Sequence, residues 1–308
     1  MSVHSRSPAP LPKASTDMIL VCGATGTVGR EVVEQLRHTG EKVRALTRDP
    51  AAVSFPPDVE VAGGDLGDPA TLAAPLRGIR SVFLTGMTYL RAEHDRNLVE
   101  AAEAAGVRHI VQLSSLAVEE RDGGALARWQ RAAENALRRS DMGWTILRAS
   151  GFMSNALRWA PQIVVAGVVR APFGASPSVP IDPRDLAAVA VAALVGEGHR
   201  RQVYPVTGPE VLTTLDQVRV LGDVLDRALR LEEITPADAR RAMLRHLPEE
   251  MVDALVGMWG SADVELRTRV QPTVERLTRW PARTFREWAA DHADRFAPGT
   301  WTGERRSH

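Results

Sequence analysis

Several residue types are scarce in this chain of 308 residues. The single cysteine, Cys22, excludes an intrachain disulfide and points to a cytoplasmic setting. Lysine occurs only at Lys13 and Lys42, so the cationic chemistry falls to arginine. Tyrosine occurs only at Tyr89 and Tyr204. The formal net charge is zero, which argues against a nucleic acid or an anionic membrane as partner. No apolar run approaches the roughly 20 residues that span a bilayer. No Cys/His spacing suits a metal, and neither a G-x-S-x-G elbow nor a P-loop occurs. The opening "MSVHSRSPAPLPKASTD" has no apolar h-region, and residues 1–16 read as a flexible tail.

What is present is alternation. From residue 18 the apolar patterns read strand, helix, strand: "MILVC", then "VGREVVEQLRHTG", then "KVRALT". "DVEVAG" predicts a further strand, and "DPATLAAPLRG" a short helix capped by Asp68 with Pro69 at its first position. "RSVFLTG", "RHIVQLSS" and "WTILRA" predict strands, separated by helices in "AEHDRNLVEAAEAAG" and "GGALARWQRAAENALRRS". This order predicts an α/β fold: a Rossmann-type doubly wound parallel sheet with a smaller, mostly helical C-terminal lobe. The dinucleotide-type domain is placed at 17–160. The substrate-side region and lobe are placed at 161–308, with "RDLAAVAVAALVG" and "VYPVTG" rejoining the main sheet as helix and strand.

In "GATGTVG" the glycines are Gly23, Gly26 and Gly29, between the first strand and the first helix. Glycine permits a tight turn and close approach of a pyrophosphate, and the helix start offers free N–H groups. Gly23, Thr25, Gly26, Thr27 and Val28 are the candidate phosphate cradle; a structural turn without ligand is the alternative. An NAD site carries an acidic residue at the tip of the second strand. Here the tip reads Thr47-Arg48, and a guanidinium suits a 2′-phosphate. NADP(H) is therefore favoured over NAD(H), the alternative being a solvated arginine beside Asp49.

"GATGTVG", "ALTRDP", "GDL" (64–66), "AAEAAGVRHIVQLSS" and "WTILRASGFMSN" together resemble the NmrA-like group of atypical short-chain dehydrogenases/reductases. The resemblance implies that Asp65 and Leu66 flank an adenine, and that Thr85, Gly86 and Met87 line the ribose and nicotinamide. It implies that Ser114 ends the fifth strand near the nicotinamide, with Ser150, Gly151 and Phe152 above it. Ordinary members of the superfamily reduce carbonyls with a Tyr and a Lys four residues later on one helix. No such pair can exist here; Leu126 and Gln130 occupy those positions when Glu134 and "WTILR" set the register. Some NmrA-like members also lack it, among them quinone and triphenylmethane-dye reductases and regulators that sense the cofactor.

Tyr89 and Gln130 are the candidate catalytic residues. His94 reads as a weaker proton donor or a solvated helix-start residue, and His109 as a packed strand residue. Trp129 either walls the nicotinamide pocket or belongs to the core. Phe152, Met153, Asn155, Leu157 and Trp159 form either an apolar pocket for a flat substrate or a buried helix face. Asp182, Arg184 and Asp185 read as a turn and helix cap. The expected function is NADPH-dependent reduction of a small apolar conjugated or aromatic carbonyl compound. A cofactor-sensing regulator and a redox-silent isomerase or dehydratase are the rivals. The oligomeric state stays open between monomer and homodimer.

Overall fold

The computed structural model describes residues 18–86, 91–120, 124–260 and 263–297. The expected tail at 1–16, and Met87 and Tyr89, lie outside them.

The strands are β1 (Met18–Val21), β2 (Val43–Thr47), β3 (Val59–Gly63), β4 (Ile79–Leu84), β5 (His109–Ser115), β6 (Gly143–Ala149), β7 (Val168–Ala171), β8 (Gln202–Val206) and β9 (Arg230–Glu233). The helices of the sheet layers are α1 (Thr27–His38), α2 (Arg91–Ala104) and α3 (Gly124–Arg138). After β6 come α4 (Ala160–Ala166), α5 (Pro183–Val195) and α6 (Thr214–Leu225). The C-terminal part adds α7 (Pro236–Met243), α8 (Glu249–Trp259), α9 (Val264–Thr268), α10 (Thr273–Thr278) and α11 (Phe285–Asp291).

Seven strands form one sheet in the order β3-β2-β1-β4-β5-β6-β8, every neighbouring pair parallel. Alternation along β1 sends Ile19 and Val21 to one face and Leu20 and Cys22 to the other. The first face is covered by α1 and α5, through Val32, Val33, Leu36, Leu186 and Val189. The second is covered by α2 and α3, through Leu98, Ala102 and Leu137. This is the doubly wound architecture that the alternating pattern predicts. The strand order reverses between β1 and β4, so the crevice opens beside the glycine turn at the carboxyl ends of these strands.

A third core joins the segment after β6 to the helical region: Met153, Ala156 and Ile163 pack with Val218, Leu221, Phe285 and Trp288. Trp288 is fully buried and stacks between Phe285 and His292, at ring-centre distances of 5.4 and 4.7 Å.

Two details differ from the sequence reading. Residues 69–71 make a single 3-10 turn instead of a helix over "DPATLAAPLRG". Pro75 has no N–H to give Thr71 and pushes Ala74 away from helical geometry. Strands β7 and β9, which the patterns did not reveal, pair with each other in a separate two-stranded sheet. Each has four residues, and the charged "RLEE" of β9 carries no alternating signal.

Candidate functional site

The three glycines of the turn do different work. Gly23 adopts φ +66°, a left-handed conformation that favours glycine, and a Cβ there would lie 2.7 Å from Thr85 Cγ2. Gly29 packs against the turn itself; a Cβ would meet the Gly23 carbonyl oxygen at 2.1 Å. Gly26 caps α1 with an extended backbone and is exposed, and a Cβ there would lie 3.2 Å from the Gly23 carbonyl oxygen, so the turn itself leaves little room for a side chain. Thr25 and Thr27 flank it at the surface, while the Val28 side chain is buried, leaving only its backbone to the crevice. The first-turn N–H groups of α1 have no partner within the helix.

At the tip of β2, Arg48 is exposed. Asp49 is engaged: its Oδ1 accepts from the N–H groups of Ala51 and Ala52 at 3.0 and 3.3 Å. Arg44 is committed to Glu60 and to the carbonyls of Pro75 and Arg77. Asp65 shapes the next turn, accepting from Gly67 N–H at 2.9 Å, and the Leu66 carbonyl accepts from Asn97 Nδ2 at 2.8 Å. His94 lies at this same turn, its Nε2 3.3 Å from where a Cβ of Gly67 would stand. That places His94 beside the turn that Asp65 shapes.

Behind the crevice lie two buried ionic networks. Arg91 donates to the carbonyls of Gly86 and Leu113 and pairs with Asp95 at 3.1 Å; Gln112 Nε2 donates to Asp95 at 2.6 Å. Arg91 thus ties the ends of β4 and β5 together. Burial pushes the Asp95 carboxyl up, against the lowering pull of Arg91. The sequence signal was an Arg and an Asp spaced i,i+4 at the start of α2, indistinguishable there from a solvated pair.

The second network joins α3 to β5 and β6. Glu134 on α3 is 2% exposed and accepts both Arg148 Nε at 3.0 Å and Arg148 Nη2 at 2.7 Å. Arg148 also reaches Glu119 at 3.0 Å. Burial opposes ionisation of Glu134, but its bonds from Arg148 and Ser114 outweigh burial and hold its pKa below the usual value. Glu134 is therefore an ionised acceptor. The 2.7 Å contact from Ser114 Oγ to Glu134 Oε1 consumes the serine's only proton.

One turn before Glu134, Gln130 is 3% exposed and its Oε1 has no hydrogen-bond partner among the described residues. A buried amide oxygen left unpaired is costly, and a ligand hydroxyl would satisfy it. Leu126, one turn earlier again, is buried and apolar. Trp129 is half-buried against Leu126, Ala127 and Met258. Side chains at Gly86 would meet nothing within 4 Å, and at Gly151 only Asn155 Nδ2, at 4.0 Å. Room above the strand ends and an orphaned acceptor on α3 fit a bound dinucleotide.

After β6, Ser150 Oγ donates to the Val179 carbonyl at 2.6 Å, and Phe152 bridges to Ile181. Of the expected apolar pocket, Met153 is 1% exposed inside the lobe core, with Leu157 and Trp159 packed on that core; Asn155 is exposed. Met153 is thus core, not pocket lining. His109 is buried at the start of β5, at the opposite end of the sheet. Asp182 caps α5 by accepting from Arg184 N–H at 2.8 Å, as the sequence suggested.

The sequence profile of an NAD(P)H-binding family matches residues 23–196. The chain is similar to the (4-alkanoyl-5-oxo-2,5-dihydrofuran-3-yl)methyl phosphate reductase of Streptomyces griseus subsp. griseus. The two are 46% identical over 283 residues, which cover 91% of this chain and 100% of the relative. It is 36% identical over 283 residues to the NAD(P)H azoreductase of Xenophilus azovorans, covering 91% of this chain and 99% of that one. Among solved structures, the NADPH-dependent quinone oxidoreductase of Escherichia coli complexed with NADPH superposes with a TM-score of 0.77 at 27% identity. That match covers 89% of this chain and 99% of the other.

Proposed function

The chain belongs to the NAD(P)H-binding family and is an NAD(P)H-dependent oxidoreductase, and from that premise we propose that it uses NADPH to reduce the conjugated carbon–carbon double bond of an acyl-butenolide carrying a phosphate. The observation that carries this reading is a reaction wall on α3 and β5 that is poor in protons. Leu126 and Gln130 stand where a phenol and an ammonium would serve ketone reduction, and the Ser114 proton is spent on Glu134. Such a wall suits an acceptor that needs little acid help.

The name of the Streptomyces griseus relative describes such an acceptor. Its ring double bond is conjugated to both a lactone carbonyl and an acyl carbonyl. The reduced nicotinamide, when bound, supplies a hydride for the electron-poor carbon of that bond. The resulting charge spreads over two carbonyl oxygens as a stabilised enolate, and water can then protonate the carbon between them. The chain's own part is to bind, orient and exclude water. Gly23, Gly26 and the start of α1 would hold the pyrophosphate, and Arg48 the 2′-phosphate. The unpaired Gln130 oxygen would accept from a ribose hydroxyl. Asp65 and Leu66 would flank the adenine, with Thr85, Gly86, Ser114, Ser150 and Gly151 around the nicotinamide half. Phe152, Asn155, Trp129 and Trp159 would border the substrate. Met87 and Tyr89 follow Gly86 in the sequence.

The test is NADPH oxidation followed by its near-ultraviolet absorbance. Three acceptors are compared: an acyl-butenolide methyl phosphate, a quinone and an isolated saturated ketone. Turnover is expected with the butenolide, less with the quinone and none with the ketone. Tyr89→Phe should slow the butenolide reaction by tenfold or less, about 1.4 kcal/mol on the barrier. Equal rates with the isolated ketone, or a thousandfold loss in Tyr89→Phe, would overturn the proton-poor mechanism.

A further inference from the structure

The segment that leaves β6 carries an uncommitted cation. Residues Met153–Trp159 form a 3-10 helix just beyond Gly151 at the carboxyl end of the strand. Such a helix has three residues per turn, so side chains three apart eclipse. Met153 and Ala156 are buried and Trp159 packs on the same lobe core, which turns that row inward. The row of Asn155 and Arg158 is turned out, and both residues are exposed. Asn155 ties this row to the strand end, its Nδ2 standing 4.0 Å from where a Cβ of Gly151 would be. Arg158 follows one turn later, about 6 Å along the helix.

Among the described residues Arg158 has no hydrogen-bond or ionic partner. It is exposed, yet the protein around it desolvates the guanidinium and lowers its pKa, and no carboxylate charge raises it back. An exposed group with that much protein about it lines a concavity. An unpaired charge in such a place costs free energy until an anion joins it. Other arginines at the strand ends are engaged. Arg148 holds Glu134 and Glu119, and Arg131 donates to the Val118 carbonyl at 2.6 Å. Arg267 reaches Ser176 Oγ at 3.0 Å and the Trp259 carbonyl at 3.3 Å. Arg128 is exposed on α3, but it lies two residues from both Leu126 and Gln130, a spacing that points it away from their face.

We propose, resting on the butenolide reading, that Arg158 selects a phosphorylated acceptor by pairing with its phosphate monoester while the acceptor's ring lies over the carboxyl end of β6. A planar guanidinium fork matches two phosphate oxygens at once. Asn155, on the same row, offers its amide to the arm between ring and phosphate. The offset of one turn holds the dianion away from the ring, where it would otherwise oppose the negative charge that develops on hydride arrival.

The test compares an acyl-butenolide methyl phosphate with the matching hydroxymethyl compound, which lacks the phosphate. The parent should prefer the phosphate in kcat/KM. Arg158→Gln should cut that preference at least tenfold, through KM and with little change in kcat. Arg158→Lys, which keeps a point charge, should retain part of it. Arg128→Gln makes the same charge change on another face and should leave the preference as it is. Binding is read separately, by calorimetry of the two corresponding saturated lactones on NADPH-bound protein, where no turnover occurs. Failure to reduce the butenolide, together with Arg158-dependent binding of the phosphate lactone, overturns the butenolide reading and keeps the subsite. Turnover with equal kcat/KM for the two butenolides, or a preference that survives Arg158→Gln, overturns the subsite and keeps the reaction. Weakened NADPH binding in Arg158→Gln with the phosphate preference intact assigns Arg158 to the cofactor and also overturns the subsite. Absence of both turnover and lactone binding overturns both.

Discussion

Around the tip of β2 the commitments of the charged side chains sharpen the cofactor argument. Asp49 spends its carboxylate on the 3-10 turn after it, and Arg44 is bound to Glu60, which leaves Arg48 as the exposed cation of the strand tip. NADPH should therefore bind more tightly than NADH. Arg48→Ala should remove about 1.5–3 kcal/mol of that preference, the range for a hydrogen bond to a charged group. Calorimetry with both dinucleotides checks it; equal affinities in the parent would sink the assignment. Single residues were unevenly legible in the sequence. Arg48 and Gln130 could be picked out because a family pattern put another residue there. Arg91, Asp95 and Arg148 could not, because a buried ion pair and a solvated one look alike until burial is known.

Among the elements, the turn before α1 offers a separation of roles. Gly29→Ala forces a Cβ against the Gly23 carbonyl and should lower stability strongly, since the contact is backbone on backbone. Gly26→Val keeps an allowed backbone, sets its Cβ 3.2 Å from the Gly23 carbonyl oxygen, a far milder contact than the 2.1 Å at Gly29, and should leave a folded protein that no longer binds dinucleotide. Thermal melts and NADPH titrations of the two variants distinguish these outcomes; a Gly26→Val protein that binds NADPH normally would remove the turn from the site. The same elements show why the sheet was readable and the lobe less so. Strands buried on both faces are short, strongly apolar runs set between helix signals, as in "MILV" and "HIVQLSS". By contrast, β7 and β9 support each other in a half-exposed pair, where hydrophobic pattern is weak. The segment after β6 was ambiguous because helical apolar spacing serves a core and a pocket equally; packing against Trp288 resolved Met153 to the core.

For the molecule as a whole, the buried carboxylates pull its pH dependence two ways. The folded pKa of Glu134 is lowered, so its stabilisation is full above the usual 4.5 and is lost as pH falls through the folded value. Burial raises the folded pKa of Asp95 and of Asp185, so acidification favours folding through those two groups. Glu134→Gln leaves Arg148 without its bidentate partner, with Glu119 still paired to it, and should cost about 1–3 kcal/mol at neutral pH. The gap between parent and variant should close as the pH drops below the carboxylate range. Denaturant unfolding of both proteins across the acid range measures this; a gap that stays constant would mean that Glu134 is not held ionised.

The strand order also sets a timetable. Every pairing in the seven-stranded sheet is parallel, so no two neighbours can zip through a tight hairpin and each must wait for a crossover. As the chain leaves the ribosome, β1 finds β2 early, but its other edge stays bare until β4 has been made. That edge belongs to Ile19, Leu20 and Val21, apolar on both faces. The last strand, β8, docks on β6 only after α4, β7 and α5 have been synthesised. Folding is therefore dominated by distant contacts and is slow. Its most vulnerable interval is the one in which the future centre of the sheet is still an open strand edge.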